Sequence, residues 1–459
     1  MTGAVTTLPL HLVGEGLEVP CLDGATRPYL SLDQAASTGA SLGVAARVNA
    51  FLPYYSSVHR GAGYASRFST AAYEEARAAV LSFAGRSADD VAILCRNTTE
   101  AINHLAFRLA LAPGDIVLTT VLEHHANLLP WGRYATCRFV ECTADGRLEL
   151  AALLAGLEAS PRPKLLAITG ASNVTGYLPP LEEAITAAHE RGVPVLVDAA
   201  QLAPHRALPA AADYVVFSGH KLYAPFGAGA LIGPRATFAV GDPFLAGGGA
   251  VELVDLDEVV WSAPPEREEA GSPNVLGAVA LGAALDELAA IGFPAITAHD
   301  EALRSCLYRG LAAIEGVRLL GPPAEVAGLP VAAFVVEGLP HALIAARLSA
   351  EFGIGVRHGC FCAHPYLVRL LGLGEGELAR FRERARRGDH REMPGAVRAS
   401  AGASTTTADV ERFLEALRTI VSSPHPTAYL LDEVTGDYWP EGFGRPDADL
   451  ASVAGCGRV

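Results

Sequence analysis

Apolar and polar positions follow two alternating periods over residues 31–285. Short apolar runs, most of them rich in β-branched residues, alternate with Ala-rich stretches whose apolar residues recur at helical spacing. This rhythm predicts a mostly parallel sheet with helices on its faces. The runs that predict strands lie at 91–95, 115–120, 164–169, 193–197 and 214–218, and the clearest helical stretches lie at 72–83 and 182–191.

The pattern changes after about residue 290, where the helical stretches become longer. Predicted helices at 296–315 and 339–352 alternate with predicted strands at 331–336 and 353–356, which indicates a smaller α/β unit. We therefore expect the chain to have four parts. They are an N-terminal arm (1–30) that packs with the small domain, a large domain (31–290), a small domain (291–425) with an exposed charged insertion at about 374–393, and a C-terminal tail (426–459).

The composition excludes several classes of function. Half of the 459 residues are hydrophobic, which is ample for a packed core, and the formal net charge is −15. That charge argues against a nucleic-acid or anionic-membrane binder, since both need a cationic surface. No apolar run approaches the ~20 residues of a membrane span, and Met1 to Glu15 lack the basic start of a secretory signal. Eight cysteines in so long a chain favour reduced thiols and a cytoplasmic location.

Two neighbouring strand ends carry the first candidate chemistry. The run 195–197 leads into Asp198, and the run 214–217 leads into Ser-Gly-His-Lys, which ends at Lys221. Ligands of open α/β sheets bind at the carboxyl ends of strands, so an acid and a lysine placed there converge on one ligand. Pyridoxal 5′-phosphate (PLP) needs this pair, because a lysine amine forms an imine with its aldehyde and a carboxylate keeps its pyridinium an electron sink. Taken singly, Asp198 would be a helix cap and Lys221 a surface lysine.

Two further motifs follow strands of the same sheet. Asn-Thr-Thr-Glu at 97–100 opens a helix, where hydroxyls and backbone N–H groups form an anion site suited to a phosphate. The plainer interpretation is that Thr98 or Thr99 caps that helix. His124, in Glu-His-His-Ala-Asn, is suited to stack on a cofactor ring and move protons. A metal site is the alternative there, but adjacent histidines match no zinc spacing, so we expect no metal.

These motifs resemble one enzyme family, in family order. From 32–36 to about residue 420, the chain is similar to the class V aminotransferase group of fold-type I PLP enzymes, and most of all to its cysteine desulfurases and selenocysteine lyases. The resemblance implies a large, mostly parallel seven-stranded α/β domain and a smaller C-terminal α/β domain. The other blocks that carry it are at 58–61, 98–103, 123–127, 172–176, 198–201, 218–223, 247–249 and 270–274.

The resemblance implies a role for each residue around the cofactor. Lys221 would hold PLP as a Schiff base and Asp198 would pair with the pyridinium nitrogen. Gln201 would hydrogen-bond the phenolic oxygen, while His124 would stack on the ring and act in catalysis. The residues expected to hold the phosphate are Thr98, Thr99, Ser218 and His220.

The resemblance also implies contacts beyond the cofactor. Asn173 and Arg398 would bind the substrate carboxylate, Arg398 through a bidentate pair, with Arg357 as a further substrate-binding residue. Ser272 would reach the phosphate from a second subunit. A homodimer is therefore the expected state.

The segment 357–365, Arg-His-Gly-Cys-Phe-Cys-Ala-His-Pro, determines the expected reaction. Desulfurases of the group carry an Arg-x-Gly-x-x-Cys-Ala-Gln-Pro loop, and Cys362 falls on its nucleophilic cysteine. By resemblance, the Cys362 thiolate takes the sulfur of a bound cysteine as a persulfide and leaves alanine, and selenocysteine would react similarly. His364 stands where the family usually has Gln, and Phe361 where it often has His.

Two other interpretations of Cys362 stay open. His358, Cys360, Cys362 and His364 alternate, so on an extended strand they would share one face, but this spacing is too tight for tetrahedral metal ligation by one segment. The stronger alternative is a structural cysteine, because free Cys often behaves as a small buried hydrophobe. In that case the loop would belong to a related enzyme with no cysteine nucleophile.

We therefore predict a PLP-dependent enzyme of the cysteine desulfurase or selenocysteine lyase type, which acts on a small amino acid and passes sulfur to an acceptor, such as a protein. The alternative is an aminotransferase, C–S lyase or epimerase of the same group. A catalytically silent PLP-binding scaffold is disfavoured, since such a protein has no need of Lys221, Asp198 and His124 together.

Overall fold

The computed structural model describes residues 7–87, 89–391 and 393–444 of the chain. The parts of the predicted N-terminal arm and C-terminal tail at 1–6 and 445–459 lie outside the described residues. The strands are β1 (Glu18–Pro20), β2 (Thr26–Pro28), β3 (Leu30–Ser31), β4 (Asp90–Cys95), β5 (Ile116–Thr120), β6 (Thr136–Val140), β7 (Pro163–Thr169), β8 (Val195–Asp198), β9 (Tyr214–Ser218), β10 (Gly229–Pro234), β11 (Val251–Val254), β12 (Val259–Trp261), β13 (Val317–Leu320), β14 (Val331–Val336), β15 (Ile354–Gly355), β16 (Arg357–Gly359), β17 (Ala396–Ser400), β18 (Tyr429–Leu431) and β19 (Tyr438–Pro440). The helices are α1 (Leu42–Phe51), α2 (Tyr64–Phe83), α3 (Thr98–Arg108), α4 (Leu150–Glu158), α5 (Leu181–His189), α6 (Arg235–Ala239), α7 (Val275–Ile291), α8 (Phe293–Ala312), α9 (His341–Phe352), α10 (His364–Leu371), α11 (Glu375–Arg386) and α12 (Thr407–Ser422).

Seven strands form the large sheet in the order β4-β10-β9-β8-β7-β5-β6. β10 runs antiparallel to β4 and β9, while the other neighbours are parallel, so the predicted mostly parallel sheet of seven strands is confirmed. Every residue of β5, β8 and β9 is buried, as expected for strands with helices on both faces. The sequence pattern did not predict β6 or β10. β6 is a partly exposed edge strand, and β10 contains Gly229 and Gly233 and ends at Pro234, residue types that are depleted in strands.

A second sheet of four antiparallel strands has the order β13-β14-β17-β16. Helices α8, α9 and α12 pack on it around a separate hydrophobic core that contains Phe334 and Phe413. β15 pairs in parallel with β3, which joins the segment at Leu30 to this unit. β16 carries Arg357 and β17 carries Arg398, so this sheet positions both arginines.

Helices α7 and α8 meet at Gly292. This residue has a φ of +82°, a conformation that glycine adopts without steric cost, and Pro294 follows within the first turn of α8. Within the described ranges no single helix is long and apolar enough to cross a membrane. Only α7 and α8 taken together meet that criterion, by length and composition, and they are bent by 81°.

The charged segment 374–393 consists largely of α11. The backbone N–H of Gly374 donates to Glu377 Oε2 at 2.9 Å, which ties down the start of this helix. None of the residues of α11 is buried. The chain that follows returns to the body of the protein, where His390 and Met393 line the main cavity.

Candidate active site

The main cavity lies between the carboxyl edge of the large sheet and the elements that carry Arg357 and Arg398, and its volume is about 620 Å³. That volume falls in the usual range for small-molecule sites. The structure brings all but one of the predicted site residues together in its walls. They are Thr98, Thr99, His124, Asn173, Asp198, Gln201, Ser218, His220, Lys221, Arg357, Cys362 and Arg398. The exception is Ser272, which lies exposed in the loop before α7 and outside this cavity.

Asp198 and Lys221 reach the cavity from adjacent strands. Asp198 is the last residue of β8 and Lys221 closes the short turn after β9, so both lie at the same edge of the sheet. Burial lowers the pKa of Lys221 to about 8, against the opposing effect of the Asp198 charge. Burial raises the pKa of Asp198, whose Oδ1 accepts a hydrogen bond from Ala200 N at 3.0 Å. The arrangement therefore offers a reactive amine and a buried carboxyl to one ligand.

The start of α3 forms the candidate anion site. Asn97 caps this helix, because its Oδ1 accepts from Glu100 N at 3.0 Å, so the interpretation of Thr98 or Thr99 as the cap is wrong. The cap position falls on Asn97 because this residue has extended backbone, whereas Thr98 already lies in the helix. Thr98 N and Thr98 Oγ1 each lie 2.7 Å from Ser218 Oγ, and Thr99 is exposed beside them. Both threonines are thus left to face the cavity.

His124 presents a neutral imidazole to the cavity. Its Nδ1 accepts a hydrogen bond from Ala126 N at 3.0 Å, which leaves the proton on Nε2. Burial, together with the Lys221 charge, lowers the pKa of His124 to about 4. Gln201 is buried nearby in the wall, and its Nε2 donates to Ala35 O at 2.6 Å. Burial also lowers the pKa of His220.

Two arginines share one carboxylate on the opposite side of the cavity. Arg398 is buried; its Nη1 donates to Asn173 O at 2.8 Å and its Nη2 to Asp33 Oδ1 at 2.9 Å. Arg357 holds the other oxygen of Asp33, with Nε and Nη2 at 2.9 and 2.8 Å. Arg398 Nε has no hydrogen-bond partner among the described residues. A buried guanidinium with an unpaired N–H donor is suited to bind the carboxylate of a substrate.

Asp33 is a residue that sequence reasoning missed. It lies in the block 32–36 that carried the family resemblance, but nothing in the local pattern separates it from an ordinary turn aspartate. Its arginine partners are 324 and 365 positions away, and only the pairing of β3 with β15 and the contact with β17 bring them together.

The loop with Cys362 is held in an unusual backbone conformation. Phe361 and Cys362 have φ angles of +55° and +53°, which side-chain-bearing residues adopt only when the surroundings impose them. Phe361 O accepts from Asn173 Nδ2 at 2.6 Å, and Cys362 O accepts from His125 N at 2.7 Å. The Cys362 side chain is exposed and faces the cavity. Burial raises the pKa of the neighbouring Cys360.

His364 pairs with His125. The two rings are stacked, with centroids 5.1 Å apart and an interplanar angle of 6°, and His364 Nδ1 lies 3.2 Å from His125 Nε2. The four alternating His and Cys residues of this segment do not share one strand, because β16 ends at Gly359 and α10 begins at His364. Over residues 7–87, 89–391 and 393–444, no three His, Cys, Asp or Glu side chains are grouped so that they could hold a metal ion.

Glu123 lies behind the His124 turn and was also missed. Its fully buried carboxyl accepts hydrogen bonds from Thr120 Oγ1, Asn127 Nδ2 and Thr169 N at 2.7, 2.7 and 3.0 Å. Burial raises its pKa to about 8. These bonds join the turn that follows β5 to the end of β7, so Glu123 positions the segment that carries His124.

Comparison with known proteins places this geometry in a family. The model of the family described as aminotransferase class-V matches residues 30–413. This chain belongs to the class-V aminotransferase family. Among its curated relatives, the cysteine desulfurase of Dickeya dadantii (strain 3937) is 41% identical over 357 residues, which cover 75% of this chain and 85% of that protein. The probable cysteine desulfurase of Vibrio cholerae serotype O1 is 36% identical over 413 residues, which cover 86% and 94%.

Solved structures of the family have the same fold. The apo cysteine desulfurase from Thermococcus onnurineus NA1 superposes with a TM-score of 0.76 at 31% identity, covering 86% of this chain and 94% of that chain. The S-sulfonic acid form of the cysteine desulfurase CsdA from Escherichia coli gives a TM-score of 0.72 at 32% identity, with 85% and 94% covered. The predicted fold-type I α/β class is therefore confirmed.

Members of this family are generally PLP-dependent, and the residues of the cavity fit that group. A lysine of lowered pKa, a buried carboxyl and a helix start are what the aldehyde, the pyridinium nitrogen and the phosphate of PLP require. All three lie in the walls of the same cavity, through Lys221, Asp198 and Thr98.

Proposed function

We propose that this chain is a PLP-dependent cysteine desulfurase, which takes sulfur from L-cysteine, or selenium from selenocysteine, and releases L-alanine. The observation that carries the proposal is the position of Cys362. Its exposed thiol is held by a positive-φ loop in the wall of the cavity that also contains Lys221 and Arg398. The cysteine desulfurases among the relatives support it, because they match most of this chain.

The cofactor would be held by the inner part of the cavity. Lys221 would bind it through its amine, Asp198 would face the ring nitrogen, Gln201 the phenolic oxygen, and His124 the ring face. When bound, PLP supplies an electron sink for charge that develops on the amino-acid carbons. The residues proposed for the phosphate are Thr98, Thr99, Ser218 and His220, with Ser272 contributed by a second subunit.

The substrate carboxylate would bind to Arg398. Asn173 and Asp33 orient its guanidinium from behind, and the free Nε donor together with Arg357 provides hydrogen bonds and positive charge for a single carboxylate. Because Asp33 neutralises one of the two arginines, the pair retains one net charge for one α-carboxylate.

The sulfur would be transferred to Cys362. Its thiolate forms a bond to the substrate sulfur, the bond between sulfur and Cβ breaks with its electron pair passing to carbon, and a proton delivered to Cβ completes alanine. Lys221 Nζ, whose pKa burial lowers to about 8, is the group suited to move protons at Cα and Cβ near neutral pH. The sulfur then remains on the enzyme as a persulfide until an acceptor thiol removes it.

The test is a product-resolved assay of the holoprotein with L-cysteine and a reducing thiol. We expect equal amounts of alanine and sulfide from the wild type and from Cys360→Ser, and a fall of both products by about 10²-fold or more in Cys362→Ser. Alanine from Cys362→Ser at the wild-type rate would remove Cys362 from the mechanism. Pyruvate, or transfer of the amino group to a keto acid, would favour a lyase or an aminotransferase instead.

We also propose that the enzyme works as a homodimer. Large apolar side chains are exposed where the loop before α2 meets β11, and the two segments are joined by a hydrogen bond from Arg60 Nη2 to Val251 O. An apolar patch of this kind is typical of a protein–protein interface. The exposed residues are Tyr55, Tyr64, Leu253, Val254 and Leu256.

The proposed location is the cytoplasm. The seven cysteines in the described part of the chain are all free, in agreement with a reducing compartment. An exposed nucleophilic thiol at Cys362 would also need such surroundings to stay reduced between turnovers.

A further inference from the structure

The C-terminal hairpin of β18 and β19 lies beyond the region that the family model matches, which ends at residue 413. Its turn nevertheless contributes Thr435 and Gly436 to the wall of the main cavity. The turn has a defined shape, because Asp432 Oδ1 accepts from Val434 N and Thr435 N at 2.9 and 3.1 Å. A hairpin outside the matched region thus borders the proposed substrate site.

The segment that follows α11 holds this turn in place. Gly436 has a φ of +78°, and a Cβ atom there would lie 2.6 Å from His390 O, so the two backbones are in direct contact. His390 Nδ1 is hydrogen-bonded to Val434 O, and Arg391 Nη1 pairs with Glu433 Oε1 at 3.1 Å. The segment 374–393 therefore supports the tail in addition to forming α11.

The turn is also tied to the strand that leads into the Cys362 loop. Asp437 Oδ1 lies 3.1 Å from His358 Nε2, and the His358 ring stacks on His341 with centroids 5.4 Å apart. His341 Nε2 in turn bonds Met393 O at 3.1 Å. Elements from four separate parts of the chain thus form one continuous wall. Its cavity-lining members are His341, His358, His390, Met393, Pro394, Thr435 and Gly436.

We propose that this wall determines the specificity of the site by size. It confines the cavity to the cofactor and a small amino acid, and it keeps amino acids with a bulky sulfur substituent, and large thiol reagents, away from Cys362. The reason is steric: the contact of Gly436 with the His390 backbone leaves no room for the turn to retreat while Asp437 holds it on His358. The role in substrate choice rests on the proposed function, whereas the control of access to Cys362 does not.

The test uses substitutions that weaken the contacts of the turn with His358 and His390, and it measures how fast thiol reagents of two sizes react with Cys362. Asp437→Ala removes the contact with His358, and Gly436→Ala forces the turn away from His390. Asp437→Asn keeps an oxygen acceptor for His358 Nε2, and Glu441→Ala removes an exposed acid of the same hairpin that does not line the cavity. Iodoacetamide and fluorescein maleimide are the small and the bulky reagent, and peptide mass spectrometry follows alkylation at Cys362.

We expect Asp437→Ala and Gly436→Ala to raise the ratio of the maleimide rate to the iodoacetamide rate by about fivefold to tenfold, the effect of losing one or two weak contacts. Asp437→Asn and Glu441→Ala should leave this ratio near the wild-type value. Equal ratios in all variants would overturn the proposal, and so would a similar increase for both reagents, which would indicate general loosening. Thermal unfolding of each variant identifies any that fails to fold.

A second measurement addresses substrate choice in the holoprotein. The change in cofactor absorbance on titration gives dissociation constants for L-alanine and for S-benzyl-L-cysteine. The proposal requires Asp437→Ala to tighten S-benzyl-L-cysteine relative to alanine, and an unchanged ratio contradicts it. If Cys362→Ser still produces alanine, the proposed function fails while the alkylation ratio still decides whether the wall controls access.

Discussion

The cavity has two parts that are built differently. Its floor consists of Asp198, Lys221 and Thr98, which lie at strand ends or a helix start of the buried large sheet and are held by contacts within that sheet. Its outer wall consists of β16 with the Cys362 loop that follows it, the segment after α11 and the turn of the C-terminal hairpin. The ion pair of His358 with Asp437 and the hydrogen bond between His390 and Val434 hold these parts together. The groups proposed to hold the cofactor thus lie at the ends of regular elements, whereas the proposed nucleophile Cys362 and the groups proposed to select among ligands lie on connecting segments.

The electrostatics of the two parts differ in the same way. On the floor, burial lowers the pKa of Lys221 to about 8, and burial also lowers the pKa of the neighbouring cavity-lining His124 to about 4. Both groups therefore lose their protons at a lower pH than the free side chains do. On the wall, the pairs of Arg357 with Asp33 and of His358 with Asp437 are partly exposed, and exposed pairs contribute little to stability. Changes in these two pairs should therefore alter ligand binding with little loss of folding, whereas loss of the Lys221 amine or of the Cys362 thiol should abolish the chemistry.

The largest effect is expected at the floor, from Lys221→Ala. Loss of the amine removes both the attachment of the cofactor and the proton carrier, so activity should fall by about 10³-fold or more. The absorbance of the bound cofactor should disappear, as measured on dialysed protein. A variant that keeps this absorbance and turns over cysteine would disprove the role of Lys221.

The next effect is expected at the wall, from Cys362→Ser. A serine hydroxyl cannot accept sulfur as a persulfide, so sulfide and alanine production should fall by about 10²-fold or more while the cofactor absorbance stays unchanged. Cys360→Ser is the matched control, since Cys360 lies in the same loop and is half-buried. Equal losses in the two variants would mean that the loop conformation, and not the thiol, matters.

Asp33→Asn tests whether Asp33 orients the two arginines proposed to bind the substrate. Without its charge, Asp33 no longer orients Arg398 and Arg357, so the KM for cysteine should rise by about tenfold, or ~1.4 kcal/mol, with kcat changed much less. Steady-state kinetics give both constants, and Asp23→Asn serves as an exposed control. An unchanged or lower KM would show that Asp33 only neutralises charge.

The rate at which the apoprotein binds its cofactor should follow the deprotonation of the Lys221 amine as the pH is raised. The neutral amine is the reactive form, so the rate should rise with pH and level off above about 8, whereas a free lysine amine continues to gain reactivity up to about 10.4. Stopped-flow absorbance measures this profile. Asp198→Asn should move the midpoint to lower pH, because the Asp198 charge raises the lysine pKa. A midpoint near that of free lysine would contradict the burial of Lys221.

The smallest effect is expected from His364→Gln. The substitution removes the stacked contact with His125, but the backbone bond from His125 N to Cys362 O remains. We expect kcat/KM for cysteine to change by less than about threefold, in the range of one weak contact. A fall by an order of magnitude would indicate that the imidazole pair takes part in the reaction.

Most of the floor could be predicted from the sequence, because its residues follow directly from strand ends. Parallel strands end at a common edge, so Asp198 after one apolar run and Lys221 after another had to lie close together. The start of a helix at 97–100 could also be predicted, because this motif follows an apolar run, but the sequence did not show which of its residues caps the helix. Asn97 and the two threonines are all good capping residues, and only the backbone conformation selects among them.

The contacts between the parts of the wall could not be predicted from the sequence pattern, because they are long-range. The turn at 432–437 meets His358, which is 79 positions from Asp437 in the chain, and no local periodicity encodes that meeting. Likewise, the charge-rich and Gly-rich composition of 374–393 predicted that this segment is exposed, but it could not indicate that the chain after α11 supports the tail.

The sequence by itself determined the alternation of elements, the positions of Lys221 and Asp198 after two apolar runs, and the family, since these depend on local periods and ordered motifs. Only the tertiary structure decided which groups surround that chemistry. It paired Asp33 with two arginines from distant strands, turned Phe361 and Cys362 into a strained conformation, and brought the C-terminal hairpin to the cavity. The physical reason is that local propensity fixes the direction of a strand or helix, whereas packing across hundreds of residues fixes what it faces.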